Sequence, residues 1–368
     1  ITLKKLLKAH ILLFIILNCC LPLFSKDNNE IKSWKILQKA EQSFDTNYFA
    51  DSIKYCNDAI SARKKECEYS IEVLEKALKP YDVRKVGDFV PDVIKVLKER
   101  QEYKALEIIN ENIYYKGLDF FDQSITKLIQ YIKTKSEYPE AYFLIAKIYE
   151  VEGEYNLALN YLDKVYEHSH LLEIPSMLND VLYKKAEIGK YLNDIPIQEK
   201  SLLLIAEKAS YKDETLKNAL IRTSRSIKEN NSSKIFSLYR IDSIFALDAY
   251  YELSKIKYNF KQFKDAYLFN LYAVLISFTH INSILQDRDS DYEYTTLENF
   301  FYQISKYDDI LEWCNSKNFW KGLCDIYDLG LLNGFRRFPI DLITVLSKNC
   351  PDKYWKSVAL EKLATQKS

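Results

Sequence analysis

The chain has 368 residues, enough for one large or two ordinary domains. Basic and acidic residues balance at 52 each with no basic stripe, which argues against nucleic-acid binding by phosphate neutralisation. With 7 Gly and 8 Pro there is little turn chemistry for an all-β fold, while a hydrophobic content of 48% suits a globular core.

Residues 1–25 read as an export signal outside the fold. Lys4, Lys5 and Lys8 give a positive start, residues 11–17 are an apolar core, and residues 21–24 extend it. The run is too short for a bilayer-spanning helix. Residues 16–19, Ile-Leu-Asn-Cys, resemble a relaxed bacterial lipobox in which Cys19 becomes the lipidated residue. Cleavage after Ser25 would instead release a soluble chain beginning at Lys26, and an uncleaved anchor is the third route.

Residues 34–60 read as a degenerate helix pair, with Ala40, Phe49, Ser52, Cys56 and Ala59 at small or apolar positions. Helix continues to Leu78, and Lys79-Pro80 stops it. Pro91-Asp92 opens a further helix to about Lys104. Residues 106–132 read as another pair, keyed by Tyr115, Phe121, Ser124 and Leu128.

The clearest stretch is residues 139–167. Tyr142, Ile145, Ala146 and Tyr149 fall at i, i+3, i+4 and i+7, one helix face. Gly153 interrupts the pattern where the chain must reverse, since it takes positive φ at little cost. Tyr155, Ala158, Leu159, Leu162 and Val165 make the second stripe. Small Ala146 and Ala158 let the helices approach closely. A pair this short cannot bury its apolar face alone and needs a neighbouring pair.

Residues 177–192 and 197–210 form a looser pair broken at 193–196, and a helix follows near 214–227. The polar residues 229–233 read as an inter-helix loop or as a boundary between lobes at 31–229 and 234–368. Residues 247–277 repeat the two-stripe pattern through Tyr250, Leu253 and Ser254, then Phe263, Ala266 and Ala273. After an acidic break at 286–294, the aromatic-rich tail stays helical, with a turn region at 325–339 carrying Gly330 and Gly334 and a capping helix at 351–366. Beyond the signal no apolar run approaches ~18 residues, so no further membrane span is expected.

Residues 139–167 resemble the tetratricopeptide repeat (TPR) at most of the positions where that repeat is particular. Counting from Pro139 over about 34 positions, Tyr142 takes the early aromatic slot, Ala146 the small slot and Tyr149 the tyrosine slot. Gly153 and Tyr155 make the turn, and Ala158 takes the second small slot. Leu162 and Val165 replace the usual aromatic and alanine, and His170 stands where proline is common. Ser124 and Ala158 lie one repeat length apart, and Ala266 lies close to three lengths beyond Ala158. The resemblance implies an all-α fold, an α-solenoid of antiparallel helix pairs over residues 31–368 with a helical C-terminal cap. It also implies that the first helix of each pair lines a concave groove. That puts Glu140, Phe143, Lys147 and Glu150 in the groove from one pair, and Asp248, Tyr251, Lys255 and Tyr258 from another. Mixed aromatic and charged residues suit a protein or peptide partner with apolar anchors. The alternative for Phe143 and Tyr251 is packing on neighbouring helices. Phe143 and Lys147 do not reproduce the clamp that some TPR proteins use for C-terminal carboxylates.

Chemistry-bearing motifs are sparse. The sequence has no Gly-rich phosphate loop, no His-Glu-x-x-His and no Gly-x-Ser-x-Gly. His168 and His170 sit at a helix end, where cationic side chains suit the dipole. Asp287, Asp289, Asp291 and Glu298 have the spacing of a calcium loop, but Tyr292 stands where the sharp turn needs Gly. Cys56, Cys67, Cys314, Cys324 and Cys350 read as buried thiols or, in an oxidising space, include a Cys314–Cys324 disulfide. The expectation is a non-catalytic protein-interaction scaffold of a bacterial cell envelope, without cofactor or metal. The competing readings are a glycan-binding or glycan-processing α-solenoid, suggested by 29 Tyr and 4 Trp, and a cytosolic scaffold.

Overall fold

The computed structural model describes residues 32–80, 87–209 and 216–367. The export signal, Cys19 and the Ser25 cleavage position lie outside the described residues. Among the described residues the fold is all-α, and its β pairing is an isolated bridge between Phe89 and Ser124. Contacts divide the chain into two units, Ile1–Ala141 and Tyr142–Ser368.

In the first unit, α1 (Ser33–Asp45) pairs with α2 (Phe49–Leu78), and α3 (Val90–Glu99) with α4 (Tyr103–Lys116). The α1 face at Ser33, Leu37 and Ala40 meets small α2 residues, Ser52, Cys56 and Ala59. With little side chain between them the backbones come close, and Ser52 Oγ donates to the Ala40 carbonyl at 2.7 Å. α3 opens with Pro91 in its first turn, where the missing N–H costs nothing. α5 (Ile125–Thr134) is capped by Ser124 and, from a distance in sequence, by Asp88. Asp88 accepts from Ser124 Oγ, from the Thr126 amide at 2.9 Å and from Thr126 Oγ1 at 2.7 Å. The Ser124 bond, then those from Thr126, hold the Asp88 carboxyl below its ordinary range.

α6 (Pro139–Val151) crosses the unit boundary. The second unit continues with α7 (Tyr155–Glu167), α8 (Met177–Tyr191), α9 (Ile195–Lys208), α10 (Leu216–Glu229) and α11 (Ser232–Leu238). It then has α12 (Leu247–Asn259), α13 (Phe263–Arg288), α14 (Leu297–Ile304), α15 (Asp308–Ser316), α16 (Phe319–Leu332), α17 (Arg337–Asn349) and α18 (Lys353–Lys367). Its hub is α13, where every residue from 266 to 278 is buried. A helix apolar all round must be surrounded, and α10, α12, α14 and α16 all pack on it. Length and composition alone would let α13 cross a membrane, but most of that stretch is buried in protein. No unbroken apolar run marks it because Asn270, Ser277 and Thr279 interrupt the sequence. Each is answered internally: Asn270 Nδ2 donates to the Gly322 carbonyl at 2.8 Å, Ser277 to Ala273 at 3.0 Å and Thr279 to Leu275 at 2.8 Å.

Five of the helix pairs share one turn. The middle residue has positive φ in each: Asn47 at 62°, Gln101 at 62°, Gly153 at 80°, Asn193 at 57° and Lys261 at 58°. The amide of the next residue donates five residues back, Tyr48 to Ser43, Glu102 to Leu97, Glu154 to Tyr149, Asp194 to Gly189 and Gln262 to Lys257, at 2.8–3.0 Å. That residue's carbonyl accepts from the fourth residue of the next helix: Ser52, Leu106, Ala158, Gln198 or Ala266. This is a Schellman closure that satisfies the carbonyls at the end of one helix and starts the next within three residues.

The turns correct the repeat register. Residues 106–132 are not a tight pair, because α4 and α5 are separated by 117–124, including a short 3₁₀ turn at Asp119–Phe121. The tight pair is α3–α4, one helix earlier. Ser124 is a cap, its Oγ accepting from Lys127 N at 3.3 Å, so its spacing from Ala158 does not relate equivalent positions. The counterparts of Ala158 are Ser52, Leu106, Gln198 and Ala266, at uneven intervals. The polar residues 229–233 lie within the second unit, where the Ser232 amide donates to Asp341 of α17 at 2.8 Å. The expected turn region at 325–339 is mostly helix: α16 runs to Leu332, and Gly334, with φ of 73°, makes the reversal.

Candidate functional site

The eight proposed groove residues fall on two helices, four on α6 and four on α12, each set along one face. Phe143 is only 8% exposed and belongs to a core with Ala146, Ala158, Leu162, Leu172 and Val181. Its ring is spent on packing, with the Lys147 ammonium 5.1 Å from its centroid. Glu140 lies half-buried in the first turn of α6. Glu150 is nearly covered and accepts from Lys184 of α8 at 2.8 Å, while Lys184 also reaches Glu187 at 3.1 Å. An ion pair therefore joins the first helices of two successive pairs.

On α12, Tyr251 is half-buried. Its hydroxyl donates to the Asn318 carbonyl at 3.2 Å, and a Cβ at Gly322 would come within 2.6 Å of that hydroxyl. Burial raises its pKa, with Asp325 and Asp248 adding to the effect. Tyr251 thus docks α12 on α16. Asp248, Lys255 and Tyr258 remain exposed. Asp248 pairs with Lys317 at 3.5 Å, Lys255 with Glu252 at 2.5 Å, and the Tyr258 ring lies 5.6 Å from Phe263. Just past the end of α12, a cavity of about 490 Å³ is lined by Ile195, Pro196, Leu203 and Leu204 of α9 and by Phe260, together with Glu199, Lys200 and Glu207. The two sets serve different neighbours: Glu150 reaches α8, whereas Asp248 and Tyr251 reach the turn between α15 and α16.

Two contacts had no sequence signal. Tyr183 of α8 donates to the Phe245 carbonyl at 2.6 Å and accepts from the Ala249 amide at 3.2 Å, clasping the start of α12. Burial pushes its hydroxyl up to about 12. Lys257 pairs with Glu199 at 2.5 Å, tying α12 to α9 at the cavity that Glu199 helps to line.

The calcium-loop spacing does not assemble a site. Asp287 is still in α13, Asp289 Oδ1 accepts from the Asp291 amide at 3.1 Å, and Glu298 lies in the first turn of α14. Tyr292 is buried, its hydroxyl donating to Asn282 at 3.4 Å. Among the described residues no three His, Cys, Asp or Glu side chains converge as metal ligands. The His280 ring lies tilted against Trp313 at 4.9 Å between centroids, and burial lowers its pKa against the pull of Asp242. Cys56, Cys67, Cys314, Cys324 and Cys350 are buried free thiols, and Cys314 is not bonded to Cys324. Burial pushes Cys324 and Cys350 up to about 12, far from the range of reactive thiolates.

No family model matches the chain, and no solved structure matches it. It is similar to an uncharacterized protein of Treponema pallidum (strain Nichols), 29% identical over 324 residues, which is 86% of each chain.

Proposed function

We propose that the chain is a non-catalytic protein-interaction scaffold, a solenoid of TPR-like helix pairs exported to a bacterial cell envelope. The observation that carries the reading is the shared turn: five helix pairs close by the same hydrogen bonds around one positive-φ residue. A chain that reuses one short pair has the material for neighbours that bury each other's apolar faces. Three of the five first helices, α1, α6 and α12, are 13 residues long, whereas α3 has 10 and α8 has 15. The positive start and apolar core of residues 1–25 support export, and Cys19 supports a lipid anchor. The similarity to a Treponema pallidum chain suits a bacterial setting.

The partner is a protein or peptide with an apolar anchor, taken at the exposed end of α12. Tyr258 and Lys255 offer an aromatic and a charged contact, and the cavity under Phe260 accepts an apolar side chain. Nucleic acid is not the partner, given the balanced charge. The test is recovery of a discrete partner from envelope extract by the immobilised chain, compared with Lys255→Glu/Tyr258→Ala. Loss of the partner by the double variant, at unchanged thermal stability, is the expected result. Identical recovery rejects the surface.

A further inference from the structure

We propose that the reversal between α16 and α17 is an oxyanion-binding pocket for a ligand that carries a phosphate or carboxylate on an apolar body. The proposal is independent of the interaction surface at α12. A cavity of about 310 Å³ opens at this turn. Lys228, Arg336 and Arg337 stand around it, and among the described side chains no carboxylate lines it. In a chain with equal numbers of acids and bases, Lys228 and Arg336 sharing one cavity whose described lining carries no acid is a local excess. Lys228 and Arg336 make no ion pair among the described residues. The acid nearest along α17, Asp341, is engaged by the Ser232 amide at 2.8 Å and by Ser232 Oγ. Guanidinium groups match the geometry of an oxyanion and bind it by paired, charge-assisted hydrogen bonds.

The remaining wall is mixed: Ile227, Phe335 and Phe338 supply its apolar part, and Asn333 and Gly334 the rest. It would cover the body of a ligand whose charged end meets the cations. The cradle is also held firmly. Asn333 Nδ2 donates to the Phe263 carbonyl at 2.9 Å and to Leu329 at 2.7 Å, and the Phe335 amide donates to Gly330 at 2.9 Å. Phe335 rests on Tyr267 of the hub helix at 5.2 Å between ring centroids. α17 starts with no side-chain cap and no acid in its first turn. A pocket so arranged selects an anion over a cation of the same shape.

The test is calorimetric titration of the full chain with phenyl phosphate, phenylacetate, inorganic phosphate and benzylamine. Saturable binding is expected for at least one aromatic oxyanion, and the tighter of the two identifies the head group. Inorganic phosphate is expected to bind about tenfold more weakly than phenyl phosphate, or not at all. The surface variant Lys228→Ala/Arg336→Ala should keep the thermal melt and weaken binding by about tenfold or more. Absence of binding by both aromatic oxyanions overturns the proposal. So does equal binding by the double variant, or equal binding of benzylamine. Equal affinity for inorganic and phenyl phosphate overturns the apolar half of the site.

Discussion

Gly330 and Gly153 answer to different constraints. Gly330 sits inside α16, where an added Cβ would lie 2.3 Å from Pro339 Cγ. Gly153 has open space but φ of 80°. Gly330→Ala must therefore push α17 away and is expected to cost ~1–3 kcal/mol, the range for overpacking. Gly153→Ala meets only backbone strain and is expected to cost ~1–2 kcal/mol. Denaturant unfolding of both variants checks the pair, and a cost-free Gly330→Ala would contradict the close α16–α17 contact. Phe143→Ala tests the other residue-level assignment. As a core ring it should cost ~3–5 kcal/mol, whereas a groove anchor would leave stability nearly unchanged.

His280 gives the pH dependence. Burial lowers its pKa in the fold below an unfolded value of about 6.5. The folded state therefore favours the neutral ring. Its contribution is complete above the unfolded pKa and is lost as pH falls through that value, where the unfolded chain takes up the proton first. Wild type should lose more thermal stability between pH 7 and pH 5 than His280→Phe, which keeps a ring against Trp313. Parallel pH dependences for the two would refute the assignment.

At the scale of elements, the shared turn is the structural unit, and its middle position tolerates several residue types at a cost. Gln101 and Lys261 hold φ of 62° and 58° without glycine's freedom. Lys261→Gly removes the left-handed strain but gives the unfolded chain more freedom, so a net gain of up to ~1 kcal/mol is expected. Melting of the single variant checks it, and clear destabilisation would mean the Lys261 side chain carries a contact of its own. The same turn accounts for what is legible in sequence. The α6–α7 pair can be read because Gly153 marks the turn and Tyr142, Ala146 and Ala158 keep helical spacing around it. The α3–α4 pair is hidden because Gln101 makes the same turn without a glycine. The Phe143 and Tyr251 positions lie on the face that the repeat resemblance assigns to a groove, but the resemblance does not say which neighbouring helix covers that face. α13 is only half legible, since a helix buried all round has no polar side to give it a period.

For the whole molecule, the described residues are all-α and their thiols are buried, and the scaffold proposed above would act by presenting a surface. The thiols provide an independent check on the second unit. Cys314, Cys324 and Cys350 should resist an aromatic disulfide reagent in the native state and react on unfolding. Rapid native labelling would mean that the core around α15–α17 opens readily.

The most direct measurement is photo-crosslinking in the native envelope, with a photoreactive residue placed at Tyr258 or, as control, at Tyr354 on α18, both exposed. The scaffold reading predicts one discrete adduct from position 258 that is absent from 354 and is lost when Lys255→Glu is added. Equal adducts from both positions, or none from 258 in intact cells, would contradict it.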